Sequence, residues 1–228
     1  MDRDRSRAIA RAFAPRNLFG NRHDFFYTLL KLRSDPLYPG VLAALRGTRA
    51  PVLDLGCGLG LLAHALRQDG QHQSYRGVDI DAAKIARGSR VAADCGLRDV
   101  RLEVMDVGVE TPDHSGSVTI LDVLQFLPPD EQHDLLVKVA GMIAPRGRLV
   151  IRTGLRDDTG RSRTSRVSDR LANLVGWMQE RPRSYPTVGG LRRTLEGAGL
   201  RVSVAPLYGN TPFNNWLLVA TPVLPAQA

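Results

Sequence analysis

The sequence predicts an α/β fold: a seven-stranded, mostly parallel sheet with one antiparallel strand and helices on both faces. Three observations carry that expectation. Short apolar runs alternate with helical patterns from residue 51 to residue 154, the rhythm of βαβ units. The runs are apolar nearly throughout, as strands covered on both faces require. The last two strands are joined only by "YGNTPFN" (208–214), too short for a parallel crossover, so the final strand runs antiparallel.

Residues 1–50 read as a helical preface, with one helix over 24–33 closed by Ser34-Asp35-Pro36 and another over 37–45 carrying Pro39 in its first turn. A strand over 51–57 and a helix over 59–68 follow, the helix ending near Gly70. Next come a strand over 75–80 and a helix capped by Asp81, running through about Cys95 and stopped by Gly96. Strands over 100–106 and 117–124 precede a helix from Pro128-Pro129-Asp130 to about Ile143 and a strand over 148–154. The rhythm changes in residues 155–186, first Arg- and Ser-rich and then helical over 170–180, which read as a lid insertion. A helix over 187–200 and strands over 201–207 and 215–222 complete the chain.

Composition bounds the function. The chain has 228 residues, 43% hydrophobic and 24% charged, as for an ordinary globule. No apolar run approaches the ~18–20 residues of a membrane helix, and the mixed charges of Met1 to Arg5 do not open a secretory signal. Cys57 and Cys95 fit neither a disulfide framework nor a metal spacing, so a reducing, cytoplasmic protein without a metal is expected. The net charge is +8, yet Lys31, Lys84 and Lys138 are the only lysines. An excess made almost wholly of arginine reads first as compositional habit, and no nucleic-acid motif accompanies it.

The chemistry begins at "VLDLGCGLG" (52–60), where Gly56, Gly58 and Gly60 alternate between a strand and a helix. Glycines there permit a sharp turn and close approach of a ligand. The spacing is neither the dinucleotide fingerprint nor a phosphate-binding Walker loop, which points to a nucleoside without a diphosphate. Successive strand ends then present polar residues: Asp79, suited to a ribose diol; Asp106, suited to a purine amine; and Asp122, with Gln125 beyond it. The plainer reading of Asp81 and Asp106 is as caps or turn formers.

"LDLGCGLG", "GVDID", "VMDV" and "LDVLQFLPPDEQ" resemble the motifs of class I S-adenosylmethionine-dependent methyltransferases, over roughly residues 48–155. The tail "NNWLLVATP" is similar to that family's last antiparallel strand. The resemblance implies a Rossmann-like fold, an N-terminal helical cap over 1–47 and a methyltransferase domain over 48–228. It implies S-adenosyl-L-methionine as cofactor. The backbone from Asp54 through Gly56 and Cys57 to Gly58 would meet its methionine part, and Asp79 its ribose, with Ile80 packing on the adenine. Met105, Asp106 and Val107 would frame the adenine, and Leu121 and Asp122 would line the sulfonium. Many members have His where this chain has Gln125. A narrower resemblance, carried by "FFYTLLKLRSDPLYPGVL" and "YGNTPFNNWLLVA", is to methyltransferases of aryl-polyene and xanthomonadin-type pigment pathways. It implies an aromatic or polyene acceptor, free or presented by an acyl carrier protein.

A hydroxyl acceptor needs its proton taken. His23 and Tyr27, spaced i, i+4, are the candidates on the preface, against a plainer reading of solvated His and packed Tyr. Tyr208, Asn210, Phe213 and Asn214 are candidates for the acceptor pocket, although Gly-Asn-Thr-Pro is also turn chemistry. Trp177 and Met178 read as packing of a lid helix. Arg152, Arg156, Arg161, Arg163, Arg166 and Arg170, set against Asp157, Asp158 and Asp169, would suit a carrier protein or a solvated lid. The alternatives are a cofactor-binding partner protein without catalysis, and an RNA methyltransferase resting on charge alone.

Overall fold

The computed structural model describes residues 1–15, 17, 21–156, 182–209 and 214–223. The lid expected over 155–186 therefore lies largely outside the described residues, as do Trp177, Met178, Asn210 and Phe213. Strand β1 (Val52–Leu55) is buried at all four positions, as a central strand covered on both faces must be. β2 (Tyr75–Asp79) and β4 (Ser117–Leu121) pair with it in parallel on either side. β3 (Val100–Val104) extends the β2 side and β5 (Leu149–Gly154) the β4 side, both parallel. β7 (Asn215–Pro222) runs antiparallel between β5 and β6 (Leu200–Pro206), giving the order β3-β2-β1-β4-β5-β7-β6. This is the expected Rossmann-like sheet with its single antiparallel strand. Strand order reverses between β1 and β4, the place where such sheets take ligands at the strands' carboxyl ends.

Two apolar layers sandwich the sheet. On one face α6 (Pro129–Gly141) and α7 (Val188–Gly197) bury Leu135, Val139, Leu191 and Leu195 against Leu53, Ile120 and Ile151. On the other, α4 (Leu61–Gln68) joins the N-terminal helices α1 (Arg3–Ala12), α2 (His23–Ser34) and α3 (Leu37–Leu45). Ile9, Phe13, Leu42, Leu45 and Leu66 form one cluster there with Val52, Tyr75 and Val150. Helix α1 was not separated within the preface by sequence; Asp2 caps it, accepting the Arg5 N–H at 2.9 Å, and Ile9 and Phe13 face the core one turn apart. α5 (Ala82–Asp94) is capped by Asp81 as expected, its carboxylate accepting the Lys84 N–H at 3.0 Å.

Two boundaries differ from expectation for a local reason. α4 starts at Leu61 rather than residue 59, because Gly58 and Gly60 are left-handed (φ +56° and +70°) and delay the helix. β4 stops at Leu121 because Asp122 takes φ +62°, after which Leu124–Phe126 curls into a 3-10 turn.

Candidate functional site

The carboxyl edge of the sheet gathers the glycine loop after β1, the ends of β2, β3 and β4, and helix α2. The three glycines serve different ends. A Cβ on Gly56 would stand 2.2 Å from Val123 Cγ2, and one on Gly60 2.9 Å from Leu102 Cδ1, so these two answer to packing as well as to φ. At Gly58 the nearest atom would be Lys84 Cδ at 4.0 Å: this glycine faces open space. The loop is knitted to β2. The N–H groups of Gly56 and Cys57 donate to the Val78 carbonyl at 2.8 and 3.0 Å, and that of Gly58 to Asp79 Oδ2 at 2.8 Å. What this part of the loop leaves for a ligand is carbonyl oxygen and bare Cα, the chemistry of an ammonium rather than a phosphate.

Asp54 sits behind the loop, 2% exposed, and accepts from Tyr75 Oη and Thr119 Oγ1, each at 2.6 Å. Burial outweighs those bonds and pushes its pKa up to about 6. Its side chain is an internal brace, leaving only its backbone for a ligand. Cys57 packs beside Gly77, and burial raises its thiol above the ordinary range, which suits packing rather than nucleophilic chemistry. Asp79 spends one lone pair on each of two N–H groups, those of Gly58 and Asp81. The rest of its carboxylate remains available to two further donors. Beside it Ile80 is 67% exposed, an apolar shelf bare of protein. At the β3 end Asp106 Oδ1 accepts the Gly108 N–H at 2.9 Å, which is the turn role; Met105 and Val107 are half-buried neighbours.

The β4 end holds what the sequence reading missed. Asp122 does not stand free: Arg152 and Lys31 both donate to its Oδ2, Lys31 at 3.2 Å. Arg152 Nη2 also reaches both oxygens of Asp35, at 3.1 and 3.2 Å, and Lys31 Nζ meets Asp35 Oδ2 at 2.9 Å. Two cations and two carboxylates thus close a ring between α2 and the ends of β4 and β5. Burial opposes the charge of Asp122, but Arg152 and Lys31 keep it below the usual carboxylate range. Asp122 and Asp35 likewise hold Lys31 above the ordinary ammonium value. Arg152, placed by sequence among the carrier-docking arginines, is instead a core residue of β5, 3% exposed. Its position in a continuous strand was the available signal. Lys31 carried another: a lysine in a chain that otherwise uses arginine.

At its other end α2 is tied to α5, Asp24 accepting from Arg87 Nε at 2.7 Å, so the helix spans the edge from α5 to β5. His23, Tyr27 and Lys31 share one face of it. The His23 and Tyr27 rings stack at 6.2 Å and 6°, and His23 Nδ1 lies 3.3 Å from Asp24 Oδ1. Tyr27 is half-buried and His23 exposed. Gln125 is buried, its Nε2 donating to the Asp122 carbonyl and its Oε1 accepting from Thr153, so it braces the β4–β5 corner. Asn214 is buried too, donating to the Leu155 carbonyl and accepting from Trp216 Nε1. That removes it from an open acceptor pocket. Tyr208 meets Trp216 edge-on at 6.2 Å.

A bare apolar shelf beside a carboxylate, below a loop that offers carbonyls, has the chemistry to hold a nucleoside with a charged amino-acid tail. On that edge and in this sheet order the fold is the Rossmann-like one shared with class I methyltransferases, and residues 52–147 match the family model described as "Methyltransferase domain". The chain is 26% identical over 151 residues to the ubiquinone biosynthesis O-methyltransferase of Aeromonas salmonicida, covering 66% of this chain and 63% of that one. It is 28% identical over 130 residues to the carboxy-S-adenosyl-L-methionine synthase of Aliivibrio fischeri, covering 52% and 53%. The matches thus span less than two thirds of these relatives. The magnesium protoporphyrin IX methyltransferase of Synechocystis PCC 6803, solved with bound SAH, shares the fold at TM-score 0.65 and 19% identity, over 96% and 93% of the two chains. No described helix is long and apolar enough to cross a membrane.

Proposed function

We propose that this chain methylates a hydroxyl on a small aromatic or polyene/polyketide molecule, with residues 1–47 as a cap on the domain formed by 48–228. The observation that carries the cofactor half is the exposed Ile80 beside the half-satisfied Asp79 carboxylate. In this reading Asp79 takes the ribose diol, Ile80, Met105 and Val107 line the adenine with Asp106 at its amine, and the loop from Asp54 to Gly58 receives the ammonium. Leu121 and the Asp122 backbone stand at the sulfonium. The cofactor supplies an electrophilic methyl; the protein's work is alignment and removal of one proton. Asp24 orients His23 with its proton on Nδ1, leaving Nε2 to accept the acceptor's hydroxyl proton, while Tyr27 stacks behind it. The similarity to the Aeromonas ubiquinone biosynthesis O-methyltransferase supports transfer to an oxygen. Pigment-type secondary metabolism, presentation by a carrier protein and a cytoplasmic setting belong to the same proposal and rest on the sequence resemblance. The locked state of Gln125 and Asp122 favours one second reading, a cofactor-binding partner without catalysis.

Calorimetry with S-adenosylhomocysteine tests the first half. Wild type should bind it and ignore NADH; Ile80→Glu should bind at least tenfold more weakly with an unchanged melting temperature, since Ile80 packs against little. Equal binding by both proteins would overturn the site. Methylation of a phenol and polyene-acid panel, read by mass spectrometry and reduced in His23→Ala, completes the test. Binding without turnover of any hydroxyl would favour the second reading.

A further inference from the structure

The end of the sheet opposite the cofactor edge carries a second, basic site. The antiparallel registers pair Leu149 with Ala220 and Arg201 with Thr221, which sets Arg148, one residue before β5, level with Thr221. Level residues on neighbouring strands face the same side, so Arg148 and Arg201 flank the Thr221 hydroxyl, their backbones about 10 Å apart. Arg146 and the left-handed Gly47 close a groove of about 580 Å³ around this row, with Pro222 at its edge. No carboxylate lines it, and none of the three arginines has an acidic partner among the described ion pairs. Arg148 is held in place. Its backbone N–H donates to Ser117 Oγ at 3.1 Å, its Nη1 donates to the Ala44 carbonyl, and its Nη2 lies beside Gly47.

Three arginines line one groove with no carboxylate among its lining residues, a concentration of positive charge that a bound anion would offset. Their planar forks match a phosphate, and the volume lies within the roughly 300–1,000 Å³ of small-molecule sites. We propose that this groove binds the phosphate of a small phosphorylated ligand, at a site separate from the methyl-transfer edge. The inference stands whether or not the chain transfers methyl groups.

The test uses the full chain and calorimetry at low salt with inorganic phosphate, pyrophosphate and AMP, and a uridine decamer as the macromolecular control. The variant is Arg146→Gln/Arg201→Gln, which spares Arg148 because that side chain also supports the end of α3. Saturable binding of pyrophosphate or AMP to wild type, weakened at least tenfold in the variant while S-adenosylhomocysteine binding is unchanged, is the expected result. AMP binding would identify a phosphoester as the source, and binding of the inorganic ions alone a free phosphate. No saturable binding, equal binding by the variant, or binding of the decamer alone would overturn the proposal.

Discussion

At the scale of single residues, Gly56 separates two demands that a motif merges. Its φ of +78° and the 2.2 Å approach of Val123 Cγ2 both forbid a side chain, whatever binds nearby. Gly56→Ala should therefore cost about 2–3 kcal/mol in urea unfolding, from overpacking and left-handed strain. Val123→Ala should recover part of that loss, the clash but not the strain. Gly58 has open space instead, and its N–H is the one that ties the loop to Asp79. Lysine is equally telling. Two of the three lysines stand at the site, Lys31 in the charge ring and Lys84 beside Gly58.

At the scale of elements, α2 is a strut pinned at both ends, by Asp24 to α5 and by Lys31 and Asp35 to the ends of β4 and β5. A buried ion pair broken by removing one member leaves an uncompensated charge. Arg152→Met should thus cost about 3–5 kcal/mol in denaturant unfolding, because Asp35 and Asp122 would share only Lys31. Lys31→Met should cost less, about 1–2 kcal/mol, since Lys31 is a quarter exposed and Arg152 still bridges both carboxylates. Equal losses for the two variants would show that the ring does not divide its work in this way.

At the scale of the whole molecule, two buried groups set opposite pH slopes. His64 packs edge-on against Phe13 at 5.3 Å, its Nε2 without a partner among the described residues, and burial lowers its pKa to about 4 from 6.5. In that window the unfolded chain binds more protons, so stability rises with pH from about 4 to 6.5. Asp54 has the contrary sign: raised to about 6 when folded, it binds more protons in the native state, and stability falls as pH rises from about 4 to 6. The two offset in wild type. His64→Leu should therefore gain about 2 kcal/mol at pH 5 relative to its effect at pH 7.5, in parallel urea titrations. The absence of that difference would place the titration elsewhere.

The sheet, its antiparallel strand and the strand-end residues Asp79, Ile80 and Asp106 were legible in the sequence, because strand period, connection length and turn chemistry are local properties. Local signals also placed the Asp81 cap. What they could not supply is who meets whom across the chain. That the Asp54 side chain is an internal brace shows only when Tyr75 and Thr119 are seen to occupy both its oxygens. Asp122 reads as free until Arg152, 30 residues on, and Lys31, 91 residues back, close on it. Arg152 itself reads as a docking charge until β5 carries it into the core. Neighbours along the chain were enough to set the class of fold and the polar strand ends that meet at its carboxyl edge. Tertiary structure alone decided which charges are spent inside the protein and which remain for a ligand, because charge pairing depends on distance in space.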